Sequence, residues 1–516
     1  MMRPLCSAAL SLSIVALVPA LAACGDEGGG PMAGDAGPGA ADAAEVDAGV
    51  DCSAAAMIAD PGFQDPDAWR AARGAFINPT EAGEVDDGVG RLDLEAMCAG
   101  ASLRQTISAP PLSCGNLVAE VTYRKILEEY NPQPLLAIGA GGAFAVLGQT
   151  PEKQWTKSRV CLGSAGHGGE RELVLASVMT SGCRTAPEGE EVALEIDRID
   201  LVPAEPGECA SPGEAMNGDA EGDGGWTFSL GGAGEGSLVD GAGAGGSRAA
   251  QVRAPICARA TMETPISFPA EPGTALELWW RATAGARVQI WMPPFLVAHA
   301  LADGGEQRMR MCVPDALLGA AQRLTATLWR ESTPCGDELR ELSVDEVRIV
   351  NDPACTSSGG AIDGGFESLL SPLGWFAYRQ GSSVAVVEGA ELAHSGDGVI
   401  EITSRCSRSG IERWIVAPPA GPEGGPALRF WHDTPDLTAV SAKVNVANPL
   451  PTIRTLPEGG GWTEEVVCLD PELAGLLTLV EVYLVDGSGM CDETQPPESM
   501  RVDDISIGPD PRCPIE

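Results

Sequence analysis

The chain has 516 residues, 73 of them acidic against 33 basic, for a net charge of −40. Such a surface repels phosphate backbones and anionic headgroups, which argues against nucleic acid as a partner. At about 150 residues per domain, the length predicts about three domains.

The N-terminus opens with Met1-Met2-Arg3, a short basic segment, followed by an apolar run over residues 8–20 that serines and Pro19 interrupt. The run is too short for a span of ~20 residues and ends in small side chains, as secretory signals do. Next comes Leu21-Ala22-Ala23-Cys24-Gly25, which resembles the bacterial lipobox. The resemblance implies that residues 1–23 are a lipoprotein signal and that Cys24 is the lipidated first residue of the mature chain. The membrane then becomes a partner through that lipid, since each buried methylene contributes about 0.8 kcal/mol. Residues 25–50 are mostly Gly, Ala, Asp and Pro without an aromatic residue. They cannot bury a core, so residues 24–50 read as a flexible tether. With Gly25 and Asp26 after the cysteine, no inner-membrane retention signal is evident. The expected location is the bacterial cell envelope, at the outer membrane, periplasmic or surface-exposed.

Beyond the tether one pattern occurs three times. Cys161 is followed by Cys183 and then Ile196-Asp197-Arg198-Ile199; Cys312 by Cys335 and then Val344-Asp345-Glu346-Val347; Cys468 by Cys491 and then Val502-Asp503-Asp504-Ile505. The cysteine spacings are 22, 23 and 23. The repeat divides the chain into modules at residues 51–208, 209–354 and 355–516.

Sixteen cysteines in a secreted chain imply an oxidising compartment. Cys6 leaves with the signal, and the repeated spacing suggests pairs Cys161–Cys183, Cys312–Cys335 and Cys468–Cys491. Each would close a loop of about 22 residues, contributing about 3 kcal/mol in the chain-entropy account. Two pairings fit the rest. The opening cysteines pair forward (Cys52–Cys98, Cys209–Cys257, Cys355–Cys406), leaving Cys114 and Cys513. Alternatively the closing cysteines pair back (Cys98–Cys209, Cys257–Cys355, Cys406–Cys513), with Cys52–Cys114 completing an even count, which parity favours. No CxxC motif is present.

Within the modules, short alternating apolar runs broken by Gly, Pro and Asp predict strands and turns. Examples are residues 276–280, 398–403, 428–431 and 479–485. Residues 316–323 and 471–477 predict at most short turns. An all-β protein follows, with three tandem antiparallel β-sandwiches. The third module has landmarks in a fixed order: Gly364-Gly365-Phe366-Glu367, Trp375, His394-Ser395-Gly396-Asp397, Leu428-Arg429-Phe430-Trp431 and Val502-Asp503-Asp504-Ile505. This order resembles the galactose-binding-like jelly rolls of carbohydrate-binding modules. The second module keeps Asn217-Gly218-Asp219-Ala220-Glu221, Trp226 and the Trp279-Trp280 strand; the first keeps Phe63-Gln64 and Trp69. The resemblance implies a structural Ca²⁺ where opening and closing strands meet, held by Glu367 and Asp504 in the third module and Glu221 and Asp345 in the second. Gln64 removes the charge from the corresponding place in the first.

Eleven tryptophans suggest sugar platforms, yet several recur at matched positions: Trp69, Trp226 and Trp375; Trp279 and Trp431; Trp155 and Trp462. Recurrence points to core. Trp291, Trp329 and Trp414 are unmatched, and Trp280, His432 and Tyr123 share a further slot. The expected ligand-binding positions are Trp280, Trp291, His432 and Trp414. Four scattered histidines give no catalytic constellation, with neither a His-Glu-x-x-His pair nor a Gly-x-Ser-x-Gly elbow. Gly163-Ser164-Ala165-Gly166 reads as a glycine-rich turn. The sequence therefore predicts a non-enzymatic array of binding or adhesion modules, plausibly for glycans. Its alternative is a spacer or a lipoprotein that contacts other envelope proteins, with a hydrolase last.

Overall fold

The computed structural model describes residues 58–515, except 73, 82, 86–87, 94–100, 127–133, 148–152, 180–191, 232–233, 293–294, 314–316, 330–337, 356–375, 380–382, 406–407, 447–451 and 487–495. The signal, Cys24 and the tether lie outside the described residues, as do Cys52, Cys98, Cys183, Cys335, Cys406, Cys491, Glu367 and Trp375.

Ten strands make the first sheet pair: β1 (Arg70–Ala72), β2 (Ala75–Asn78), β3 (Val89–Asp93), β4 (Ser102–Ala109), β5 (Leu117–Ile126), β6 (Pro134–Ala140), β7 (Ala143–Val146), β8 (Thr156–Leu162), β9 (Gly169–Met179) and β10 (Ala193–Pro203). The second contains β11 (Glu214–Ala215), β12 (Thr227–Leu230), β13 (Glu235–Val239), β14 (Ala249–Pro255), β15 (Ala260–Ser267), β16 (Thr274–Ala282), β17 (Arg287–Met292), β18 (Phe295–Leu301), β19 (Glu306–Cys312), β20 (Ala321–Leu328) and β21 (Leu339–Asn351). The third contains β22 (Phe376–Arg379), β23 (Ser383–Glu388), β24 (Gly398–Ser404), β25 (Ser409–Val416), β26 (Gly425–Asp433), β27 (Val440–Val446), β28 (Thr452–Thr455), β29 (Trp462–Cys468), β30 (Leu477–Asp486) and β31 (Glu498–Asp510).

The wiring is the same three times, except that in the second copy β12 also pairs with β15. One sheet runs β1-β4-β9-β6-β7, then β11-β15-β20-β17-β18, then β22-β25-β30-β27-β28. The other runs β2-β3-β10-β5-β8, then β13-β14-β21-β16-β19, then β23-β24-β31-β26-β29. All pairings are antiparallel, and the crossing connections are those of a jelly roll. Among the described residues there is no α-helix. Of the two expected turns, Pro471–Leu473 is a single 3-10 turn, while β20 begins inside the other at Ala321.

Alternation explains the layers. On β16, Leu276, Leu278, Trp280 and Ala282 point into the apolar core, and Trp279 points to the other face of the sheet. At about 25 cal/mol per Å² of apolar area removed from water, each large side chain buried this way contributes roughly 1.5–3 kcal/mol. Of the recurring tryptophans, the described members of the first slot are core, whereas Trp155, Trp431 and Trp462 are half-buried outside the core clusters. Trp69 and Trp226 are buried, and each donates its indole N–H to the carbonyl nine residues earlier, Asp60 or Asn217, at 2.9 and 2.8 Å.

The disulfides correct the expected pairing. Cys161 bonds Cys209, Cys312 bonds Cys355, and Cys468 bonds Cys513. Neither the short pairs nor either long-range scheme holds for these six. The reason is topological: β19 and β21 both run antiparallel to β16, so they are parallel to each other and end together. The Cα atoms of Cys312 and Cys355 are consequently 5.2 Å apart, within disulfide reach. The closed loops span 48, 43 and 45 residues, which raises the chain-entropy contribution to about 4 kcal/mol each. Cys114 and Cys257 are also disulfide-bonded. Cys209 and Cys355 thus staple back to the sandwich that precedes them in the chain.

The glycine-rich turn packs the first sandwich on the second. Ala165 N–H donates to Gly319 O at 3.1 Å, and a Cβ on Gly163 would lie 2.0 Å from that same oxygen. Only glycine permits the approach. Gln322 adds a hydrogen bond to Phe144 O.

Candidate functional site

Of the expected calcium residues, the three described ones, Glu221, Asp345 and Asp504, take hydrogen bonds from the protein. In each copy the sheet register shifts at the closing strand's Asp197-Arg198, Asp345-Glu346 or Asp503-Asp504, opposite β5, β16 or β26. The aspartate that comes first is buried and clamps the loop leading into β3, β14 or β24. Asp345 accepts from Ala244 N–H at 3.0 Å, Ser247 Oγ–H at 2.6 Å and Glu346 N–H at 2.7 Å. Asp503 accepts from the N–H groups of His394, Ser395 and Asp504, and burial raises its pKa to about 6. Asp197 accepts from Val85 N–H at 2.8 Å.

The second acid differs. Glu346 and Asp504 both have φ 48°, so Asp504 corresponds to Glu346 and not to Asp345. Asp504 takes hydrogen bonds from Ser395 Oγ–H at 2.7 Å and His394 Nδ1 at 2.6 Å, and that imidazole stacks on Trp431 at 3.9 Å. Glu221 accepts from Arg248 N–H at 3.2 Å. Each of these described carboxylates accepts from N–H or O–H donors of the protein. Among the described residues no group of three or more His, Cys, Asp or Glu comes together as a metal site.

The expected sugar platforms separate into two groups. Trp280 and His432 are 6% and 1% exposed, and with Tyr123 they fill the core of their sandwiches. His432 Nδ1 pairs with Thr434 Oγ1 at 2.8 Å, and burial lowers its pKa. Neither ring can reach a ligand, which corrects that expectation. Trp414 lies on β25, with its side chain outside the described residues. Trp291 lines a cavity.

That cavity is a groove of about 630 Å³ on the outer face of the β11-β15-β20-β17-β18 sheet. Alternation builds its floor. Met262, Leu324, Ala326, Ile290 and Met292 point into the core, so Thr261, Glu263, Arg323, Thr325, Gln289 and Trp291 point out. Glu263, Thr325 and Trp291 lie in one row across three strands, and Thr261, Thr327 and Gln289 form the next. The β17–β18 register shifts beside Trp291, a bulge of the kind that re-aims a side chain. Residues 135, 145–147 and 159–161 of the first sandwich form the facing wall. Cys161 and Glu208 lie there too, and Glu208 is gripped by Arg159 at 2.7 and 2.8 Å.

Polarity is concentrated at two rings. Trp329, 40% exposed, carries the Arg259 guanidinium 4.8 Å above its ring. Packing there lowers the Arg259 pKa, and the Glu263 charge pulls it the other way. The Trp291 indole nitrogen is buried and has no hydrogen-bond partner. Arg259, Glu263 and Trp329 were not singled out by the sequence. Trp329 did carry a signal, because no other copy has a tryptophan in its place.

No protein-family model matches the chain, and no curated protein matches it. Solved structures that resemble it are carbohydrate-binding modules and jelly rolls. The tandem CBM22-1–CBM22-2 domain of Paenibacillus barcinonensis Xyn10C is 15% identical, with a TM-score of 0.20, covering 58% of this chain and 99% of that one. TmCBM61, solved with β-1,4-galactotriose, is 18% identical, with a TM-score of 0.23, covering 30% and 100%. An archaeal virus triple jelly roll is 9% identical, with a TM-score of 0.17, covering 85% and 88%. Similarity this low carries no argument about the ligand of this chain.

Proposed function

We propose that the protein is a non-enzymatic binding protein of the bacterial envelope, anchored through lipid on Cys24, whose three jelly-roll modules form an array and whose groove holds a glycan. The observation that carries the reading is the pair of rings at the groove. Trp329 is an exposed face of the kind on which a sugar's C–H surface stacks. Trp291 brings a buried N–H without an acceptor, which costs about 1–3 kcal/mol until a ligand hydroxyl or carbonyl meets it. Gln289, Thr261 and Glu263 stand in the same two rows, able to orient hydroxyl groups.

The test is a glycan array with the fragment from Cys52 onward, followed by calorimetric titration of any sugar retained. Trp329→Ala and Trp291→Ala are each expected to weaken binding at least tenfold while leaving the fold intact. Equal binding by wild type and both variants, or silence across the array, sinks the glycan reading.

A second reading, of rigid scaffold, is favoured by the first sandwich. Its equivalent outer face is covered: Arg104 donates to Ala474 O of the third sandwich at 3.1 Å and pairs with Glu172. That copy is built for contact within the chain.

A further inference from the structure

We infer that the groove selects an anionic glycan, an oligosaccharide carrying ring carboxylates along its length, through Arg259 and Arg323. The inference rests on the glycan reading and names the class of sugar.

The first observation is that neither arginine has a carboxylate in ion-pair contact among the described residues; Arg259 feels the Glu263 charge and Arg323 the Glu208 charge only from further off. In a chain with 73 acids to 33 bases, carboxylates are abundant, and sixteen described arginines sit within 4.0 Å of one. Arg259 and Arg323 both line the groove, and neither makes a described ion pair or hydrogen bond. Arg159 in the wall is the contrast, fully taken up by Glu208 and Glu120. A guanidinium presents a planar fork of N–H donors matched to a carboxylate, and stacking Arg259 on Trp329 fixes its plane in advance.

The second observation is charge. Three arginines and two glutamates line the groove, a surplus of one positive charge on a molecule of net −40. The remote negative charge repels a polyanion, but it acts beyond a Debye length of about 8 Å at physiological salt. The local arginines act within contact distance and prevail.

The third observation is spacing. Arg259 immediately precedes β15 beside Trp329, and Arg323 neighbours Pro265 across the β15–β20 ladder. Six strand residues at about 3.4 Å each put the two guanidinium attachment points roughly 20 Å apart. A single sugar ring cannot bridge that length. An oligosaccharide with repeated carboxylates can, placing one acid at each end with intervening rings over the Glu263-Thr325-Trp291 row.

The test is calorimetric titration of the fragment from Cys52 onward with an oligogalacturonate and with its fully methyl-esterified counterpart. The acid form is expected to bind at least tenfold more tightly. Arg259→Gln and Arg323→Gln should each erase most of that preference, with melting temperature unchanged. If both forms bind alike, or neither variant alters the preference, the charge inference falls while the glycan reading stands. If neither these sugars nor any neutral glycan binds, both fall together.

Discussion

On the second sandwich the row Glu263, Thr325, Trp291 lies along an open groove. On the third the equivalent row, fourth from the start of β25, reads Glu412, Glu481, Asn445 and is occupied by its own side chains. Glu481 is 1% exposed, with Arg408 at 2.7 Å on one oxygen and the Asn445 amide on the other. Burial, reinforced by the Glu481 charge, pushes Glu412 up to about 8, so at neutral pH it holds a proton. Arg408 also lies 4.2 Å from the centre of the Tyr483 ring. The same strand order thus presents an open groove in one copy, a self-satisfied polar layer in the next and a packing surface in the first. What recurs between copies is core and clamp; what varies is the outer face of one sheet.

The sharpest way to break that comparison is to exchange a slot that recurs for one that varies. Trp280→Ala empties a core site and is expected to destabilise the fold by about 3–5 kcal/mol in urea unfolding. Trp329→Ala, on the variable face, should stay within about 0.5 kcal/mol. Comparable losses at both sites would erase the distinction between core and face.

The loop clamp comes next in size. Asp345→Ala leaves the N–H groups of Ala244 and Glu346 and the Ser247 hydroxyl without their acceptor, at about 1–3 kcal/mol. Because the groove lies on the other sheet, glycan affinity should change little, which titration of the same variant checks.

The smallest effect sharpens the contrast between the two faces through pH. Glu412 has a folded pKa above its unfolded value of 4.5, so the folded state binds the extra proton. Its contribution to stability is complete below pH 4.5 and is lost as pH rises towards 8. Asp503 acts in the same direction up to about 6, whereas Asp510, held down to about 2 by Arg512, stabilises above its ordinary value. Glu412→Gln should flatten the fall in melting temperature on the upper part of this range. An unchanged slope would show that the third face is not closed around a shared proton.

Much of the fold was legible because period-two alternation is local. The strands at 276–280, 398–403, 428–431 and 479–485 all lie in β16, β24, β26 and β30, and matched tryptophans such as Trp69 and Trp226 are core. The staples were not legible, because equal cysteine spacing records the repeat and not which strand ends meet. Cys312 finds Cys355 only once β19 and β21 flank the same strand. The site was half legible. Trp291 stood out as unmatched, but Trp280 and His432 share the inward phase of their strands, which a two-residue aromatic run does not reveal. Arg259 gives no local signal, since its meaning comes from Trp329, seventy residues away, and from its having no described ion-pair contact.

The staples also set how the molecule responds to tension. Were the protein anchored and holding an extended polymer as proposed, it would be pulled along its chain, and load would enter a sandwich where the closing strand leaves it. Without a crosslink, β10, β21 or β31 could peel away from its neighbours one hydrogen bond at a time. Cys209, Cys355 and Cys513 sit just past those strands and tie the exit to the edge strand two positions over. Pulling must then displace both strands at once, sliding many bonds together. An unzipping load becomes a shearing one, and chemical reduction alone restores the weaker mode.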